Sequence, residues 1–172
     1  MVEVISPTLR PRLERWVAEG RIQHAGREFR PAHLEGVWLV IAATDDPAVN
    51  RQVAGEAERR GLLVNVVDGP EAGNFHVPAL LRRGDLTIAI STGGRSPSLA
   101  QHLRRELEGR YGPEYAALVA LLGELRPVVR QRLRDPQARR QVWARMIESE
   151  ALALLRAGDQ QAARERLMEC IF

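Results

Sequence analysis

Apolar residues along this chain switch between two rhythms. Short runs dense in valine, isoleucine and leucine (VEVI at 2–5, GVWLVIAA at 36–43, LLVNVV at 62–67) have the length and β-branched content of buried strands. Between them, residues 9–19 and 48–60 space their apolar positions as helices do. The first strand closes on Ser6-Pro7-Thr8. The second closes on Thr44-Asp45-Asp46-Pro47, where one carboxylate caps the next helix and the proline takes its first position. Gly61 stops that helix. Strand, helix and strand joined this briefly predict parallel strands and a Rossmann-like α/β half. Residues 22–29 read as an edge strand and 31–34 as a turn or a single helical turn.

Near residue 75 the alternation breaks. Strand-like runs at 75–81 and 86–91 flank Arg82-Arg83-Gly84-Asp85, a hairpin-type connection. Ser96-Pro97 then opens a helix over 98–110, with Leu99, Leu103 and Leu107 on one face. Gly112-Pro113 ends it, and further amphipathic helices are predicted at 114–133, 136–147 and 160–168. Three segments result, 1–74, 75–111 and 112–172.

Composition narrows the function classes. The chain has 172 residues, 45% of them hydrophobic and 27% charged, enough for one good core or a core with an appendage. No apolar run reaches membrane-span length and no leader-like segment opens the chain, so no membrane partner and a cytoplasmic location are expected. All 25 basic residues are arginine, which rules out lysine Schiff-base chemistry and a phosphate-loop lysine. A net charge of +3, with 22 acids interspersed, does not indicate a nucleic-acid partner. Arginine does suit a polycarboxylate ligand, because its planar fork binds carboxylate bidentately. The single Cys170 excludes an intrachain disulfide and a cysteine-built metal site.

In open α/β sheets, ligands lie outside the carboxyl ends of the strands. Asp68, just after the 62–67 strand, is placed to act as a general base or to meet a metal; it could equally cap its own Asp-Gly-Pro turn. Thr44 and Asp45 sit where a dinucleotide can cross the sheet, and Pro7 and Thr8 where a ribose can lie, though turns use such residues for their own ends. The loop Thr92, Gly93, Gly94, Arg95 and Ser96 opens a helix, offering backbone N–H groups and a fixed cation to an anionic substrate, and it also serves as a plain turn. His76 and His102 have no second spaced ligand, and no metal site is expected. Trp16, Trp38 and Trp143 read as packing residues. No G-x-G-x-x-G phosphate fingerprint occurs in the sequence.

Residues 37–108 carry A-A-T-D-D after a buried strand, N-V-V-D-x-P, F-x-x-P and S-T-G-G-x-S-P, in that order. This combination closely resembles the precorrin-2 dehydrogenase family, which includes the N-terminal part of siroheme synthase. The resemblance implies an NAD-binding Rossmann domain, a small dimerisation region and a helical C-terminal domain, falling on the three segments above. It implies a homodimer that uses NAD to oxidise the tetrapyrrole precorrin-2 to sirohydrochlorin. Some members also insert ferrous iron, so a sirohydrochlorin ferrochelatase, or a tetrapyrrole-binding protein without dehydrogenase activity, is the alternative. By position, Asp68 matches the family's catalytic aspartate, and Pro7, Thr8, Thr44 and Asp45 match its cofactor-contacting turns. Arg82, Arg83 and Arg95 suit a substrate with eight carboxylates. Family members open with a further strand and a V-G-G-G-x-V-A-x-R-K type segment. This chain starts at the second strand, so weak NAD binding and an exposed edge at residues 2–5 are expected. A helical interaction module with a vestigial sheet is a third possibility.

Overall fold

The computed structural model describes residues 1–67 and 69–172. Asp68 lies outside the described residues. The chain divides into two compact units, Met1–Val77 and Pro78–Phe172.

The first unit holds two strand–helix–strand repeats. Strand β1 (Glu3–Ile5) leads through helix α1 (Pro11–Ala18) to β2 (Gln23–Gly26), and the two strands pair in parallel. Strand β3 (Leu39–Ala42) leads through helix α2 (Pro47–Arg59) to β4 (Leu63–Val66), again in parallel, with Val40 opposite Val64 and Ala42 opposite Val66. The predicted parallel α/β class is therefore present, with its strands in two separately bonded pairs rather than one continuous ladder. Each pair is made inside its own repeat. Residues 22–29 yield only the four residues of β2, and 31–34 form a single 3-10 turn.

Helix α2 forms for reasons visible in its sequence. The Asp46 carboxylate accepts the Ala48 N–H at 2.7 Å, Pro47 starts the helix, and Gly61 follows its end at φ +66°. Its inner stripe, Asn50, Val53, Ala54 and Ala57, is buried with Ala42, Val64 and Val66 of the strands. Each fully buried valine there contributes roughly 1.5–3 kcal/mol. Glu56, also on this helix, forms ion pairs with Arg59 and with Arg60, the latter at 2.7 Å. Hydrogen bonds from Arg59 and then Arg60 hold its carboxyl below the usual carboxylate range. The opposite side of the β3–β4 pair is wet: Leu39, Ile41 and Leu63 are exposed.

The second unit opens with an antiparallel hairpin, β5 (Ala79–Arg83) and β6 (Leu86–Ile90), turned by Gly84 and Asp85 alone. Gly84 has φ +56°, and a Cβ there would meet the Ala116 Cβ at 3.1 Å. The strand predicted at 75–81 thus starts later. The Asn74 and Phe75 N–H groups both donate to the Val64 carbonyl at the outer edge of β4, and Pro78 has no N–H to give a ladder. Helices α3 (Pro97–Arg110), α4 (Glu114–Arg132), α5 (Pro136–Glu148), α6 (Ala151–Arg156) and α7 (Gln160–Glu169) complete the unit. Their core is centred on Leu125, Val129, Met146 and Leu167. Pro127 sits inside α4, where it can donate no N–H to the carbonyl of Gly123. Arg156 donates to Glu114 at 2.9 Å, tying α6 to the start of α4; that bond, with backbone donors, lowers the Glu114 pKa.

Candidate functional site

Two turns of the first unit stand at the carboxyl ends of parallel strands. After β1, the Ser6 N–H donates to the Gly26 carbonyl at 3.0 Å, and the Ser6 hydroxyl donates to the Thr8 carbonyl at 2.6 Å. The His24 Nε2–H donates to the Ser6 carbonyl at 2.9 Å. With its polar groups fixed in this way, the turn presents Pro7 and Thr8 to solvent.

After β3, Thr44 and Asp46 are committed to local structure. The Asp46 carboxylate caps α2, and its N–H reaches the Thr44 hydroxyl at 3.3 Å. Asn50, 7% exposed, accepts from the Thr44 N–H at 3.1 Å and from the Thr44 hydroxyl at 2.8 Å. Its own amide donates to the Thr44 carbonyl at 2.9 Å. Asp45 is exposed, and among the described residues its carboxylate has no hydrogen bond or ion pair. Of the two neighbouring aspartates, Asp46 caps the helix and Asp45 faces outward.

Beyond β4, the Val67 N–H donates to the Ala42 carbonyl at 2.9 Å, and residues 69–75 fold back along the outer edge of β4. Gly73 is needed here, since a Cβ would come 2.8 Å from the Val64 carbonyl oxygen. Asp68, the sequence-predicted base, lies outside the described residues.

In the second unit, Thr92, Gly93, Gly94, Arg95 and Ser96 form one tight turn. Gly93 and Gly94 have φ +61° and +78°, and the Arg95 N–H donates to the Thr92 carbonyl at 3.2 Å. Positive φ at both central positions is the pattern that only glycine adopts at little cost. The Thr92 hydroxyl accepts the Ser96 N–H at 3.0 Å, and the Ser96 hydroxyl accepts the Leu99 N–H at 3.3 Å to cap α3. Thr92 and Ser96 thus shape the loop, whereas the Arg95 side chain is exposed and, among the described residues, outside any ion pair. Arg82 is likewise exposed. Arg83 is different: its guanidinium donates to the carbonyls of Tyr111 at 2.9 Å and Arg82 at 3.0 Å, so it serves the fold first.

Asn50, His24 and Asn74 support these loops and were not singled out by sequence. Asn50 did leave a signal, as a polar residue on the i, i+3, i+4, i+7 stripe it shares with Val53, Ala54 and Ala57. A shallow cleft of about 330 Å³, lined by Glu114, Leu155 and Arg156 among others, involves none of the predicted site residues. Among the described residues, no three histidine, cysteine or acidic side chains gather as a metal-ligand set, and no helix is long and apolar enough to cross a membrane.

Three family profiles match successive parts of the chain. Residues 1–79 match "Putative NAD(P)-binding", 83–110 match "Sirohaem biosynthesis protein central" and 114–171 match "Sirohaem synthase dimerisation region". A siroheme synthase of Methylobacillus flagellatus is 42% identical over 99% of this chain and 36% of its own length. A siroheme synthase of Aeromonas hydrophila is 40% identical over 99% of this chain and 37% of its own length. The chain therefore spans little more than a third of these relatives. The solved structure of SirC, a precorrin-2 dehydrogenase, superimposes with a TM-score of 0.69 at 26% identity, covering 98% of this chain and 80% of that one.

Proposed function

Because the chain belongs to the family of precorrin-2 dehydrogenases and siroheme synthase N-terminal modules, we propose that it is a precorrin-2 dehydrogenase that uses NAD. The observation that carries this reading is the likeness to SirC over nearly the whole chain. A nicotinamide cofactor fits the donor set of the first unit: two turns at the carboxyl ends of parallel strands, one of them presenting an uncommitted carboxylate. Pro7, Thr8, Thr44 and Asp45 would hold it, and bound there it would supply the hydride acceptor.

Oxidation of precorrin-2 to sirohydrochlorin removes a hydride and a proton. Asp68 is assigned the proton, as a base two residues beyond β4 in sequence. Arg95 and Arg82 are assigned to substrate carboxylates, with Thr92, Gly93, Gly94 and Ser96 shaping the loop that carries Arg95. The match of residues 114–171, the helical segment rather than 75–111, to a dimerisation region supports a homodimer.

The test is anaerobic incubation of the protein with precorrin-2 and NAD, with NADP in parallel, following reduced nicotinamide by its near-ultraviolet absorbance. Formation of reduced nicotinamide together with sirohydrochlorin, abolished by Asp68→Ala, is the expected result. Tetrapyrrole binding without oxidation under either cofactor would replace this reading with that of a tetrapyrrole-binding protein.

A further inference from the structure

The Thr44–Asp46 turn contains three groups able to meet a ligand, and the hydrogen bonds separate their duties. The Asp46 carboxylate is occupied by the Ala48 N–H, and the Thr44 hydroxyl lies between Asn50 Oδ1 and the Asp46 carbonyl, at 2.8 and 3.0 Å. A hydroxyl has one proton to give, and both nearby acceptors belong to the protein. Asn50 grips the backbone of Thr44 from both sides, taking its N–H and giving a proton to its carbonyl. It does this from inside the unit, with only 7% of its surface exposed. A buried amide costs stability unless its donors and acceptor are satisfied. Meeting the acceptor twice and one of the two amide donors on one residue of one turn fixes that residue's orientation. Thr44 is exposed, yet its N–H, hydroxyl and carbonyl are all bonded to Asn50, whereas the next side chain, Asp45, is exposed with no bond of its own among the described residues.

We infer that Asn50 is a positioning residue for dinucleotide binding: it locks Thr44 into the scaffold, so that Asp45 alone presents a charged oxygen to a ribose hydroxyl of the cofactor. This rests on the reading of the β3 turn as a nicotinamide-dinucleotide site, and it divides duties within that site. Thr44 becomes support and Asp45 becomes the contact. A carboxylate accepting from ribose hydroxyls is the chemistry that dinucleotide folds use for recognition.

The experiment measures the Kd for NAD, and separately for NADP, by calorimetry on the whole protein and on four variants, with the melting temperature of each. Asn50→Ala is expected to weaken binding about tenfold or more. Val53→Ala, a core change on the same helix, is expected to lower the melting temperature comparably but to leave the Kd within about twofold. Thr44→Val keeps the shape and the two backbone bonds to Asn50, and is expected to cost less than about threefold. Asp45→Asn is expected to weaken binding at least as much as Asn50→Ala. If Asp45→Asn weakens binding while Asn50→Ala behaves like Val53→Ala, the positioning role is overturned and the site reading survives. A Thr44→Val protein that loses binding as fully as Asp45→Asn would also overturn it, by making Thr44 a direct contact. If Asp45→Asn and Asn50→Ala both leave the Kd unchanged, the site reading itself falls.

Discussion

Asn74 stands in for a neighbouring strand along the outer edge of β4. Its side-chain carbonyl accepts the Val64 N–H at 2.8 Å while its own N–H donates to the Val64 carbonyl at 3.0 Å, and its amide also reaches the Leu62 carbonyl at 3.0 Å. One residue thus satisfies three backbone groups, at Leu62 and Val64, along an edge that would otherwise hold them open. Asn74→Ala leaves the Val64 N–H without its partner, and a loss of about 1–3 kcal/mol in urea denaturation is expected. Asn74→Asp keeps that acceptor and loses only the bond to Leu62, so it should lose less.

Gly93 and Gly94 each hold a left-handed backbone at the head of α3. Alanine at either position costs roughly 1–2 kcal/mol there, unless the loop relaxes to another shape. Both outcomes disturb the presentation of Arg95. The expected result for Gly93→Ala and Gly94→Ala is weaker tetrapyrrole binding, read by absorbance titration, with far-ultraviolet circular dichroism unchanged.

Arg82 and Arg95 are exposed cations outside any ion pair among the described residues. Replacing either by glutamine is expected to raise the Kd for a carboxylated tetrapyrrole two- to fivefold, the size of about one exposed charge contact. The variants should also flatten the dependence of that Kd on salt. An unchanged salt slope would remove both arginines from the substrate contact.

Acid should destabilise the protein through Glu56 and Glu114. Hydrogen bonds from Arg59 and Arg60 lower the first carboxyl, and the bond from Arg156 lowers the second, both from an ordinary value of 4.5. As pH falls through 4.5 the unfolded chain takes up these protons before the folded one does, so stability drops with acidification and is retained above that value. The Glu56→Gln, Glu114→Gln double variant should be less stable at neutral pH and show a flatter acid slope in pH-dependent thermal melts.

Much of the fold could be read from local chemistry. The runs ending at Ser6 and Thr44, the caps Asp46-Pro47 and Ser96-Pro97, and the stop at Gly61 all announce themselves within a few residues. What sequence missed depends on distant partners. Nothing near Asn74 shows that it will cover β4, whose Val64 lies ten residues away. Arg83 looked available to a carboxylate until Tyr111 claimed it from 28 residues on. Helix α6 escaped because its six residues are too few for a clear period and its N-cap residue, Glu150, makes no side-chain cap. At the candidate site, the family motifs located the loops. The division of labour between Thr44 and Asp45 needed the buried amide of Asn50 to be seen in place.

The β3–β4 pair has a dry face under α2 and a wet face bearing Leu39, Ile41 and Leu63. Hydrocarbon held in water in this way acts on the whole particle, not only on the strand that carries it. Sulfate and similar excluded salts raise the free energy of wetted hydrocarbon, and a net charge of +3 gives little mutual repulsion to oppose contact between particles. These three side chains add to the wetted hydrocarbon of Trp38, Ile147 and Phe172: the protein should salt out early, and dilution or a mild non-polar additive should redissolve it unharmed.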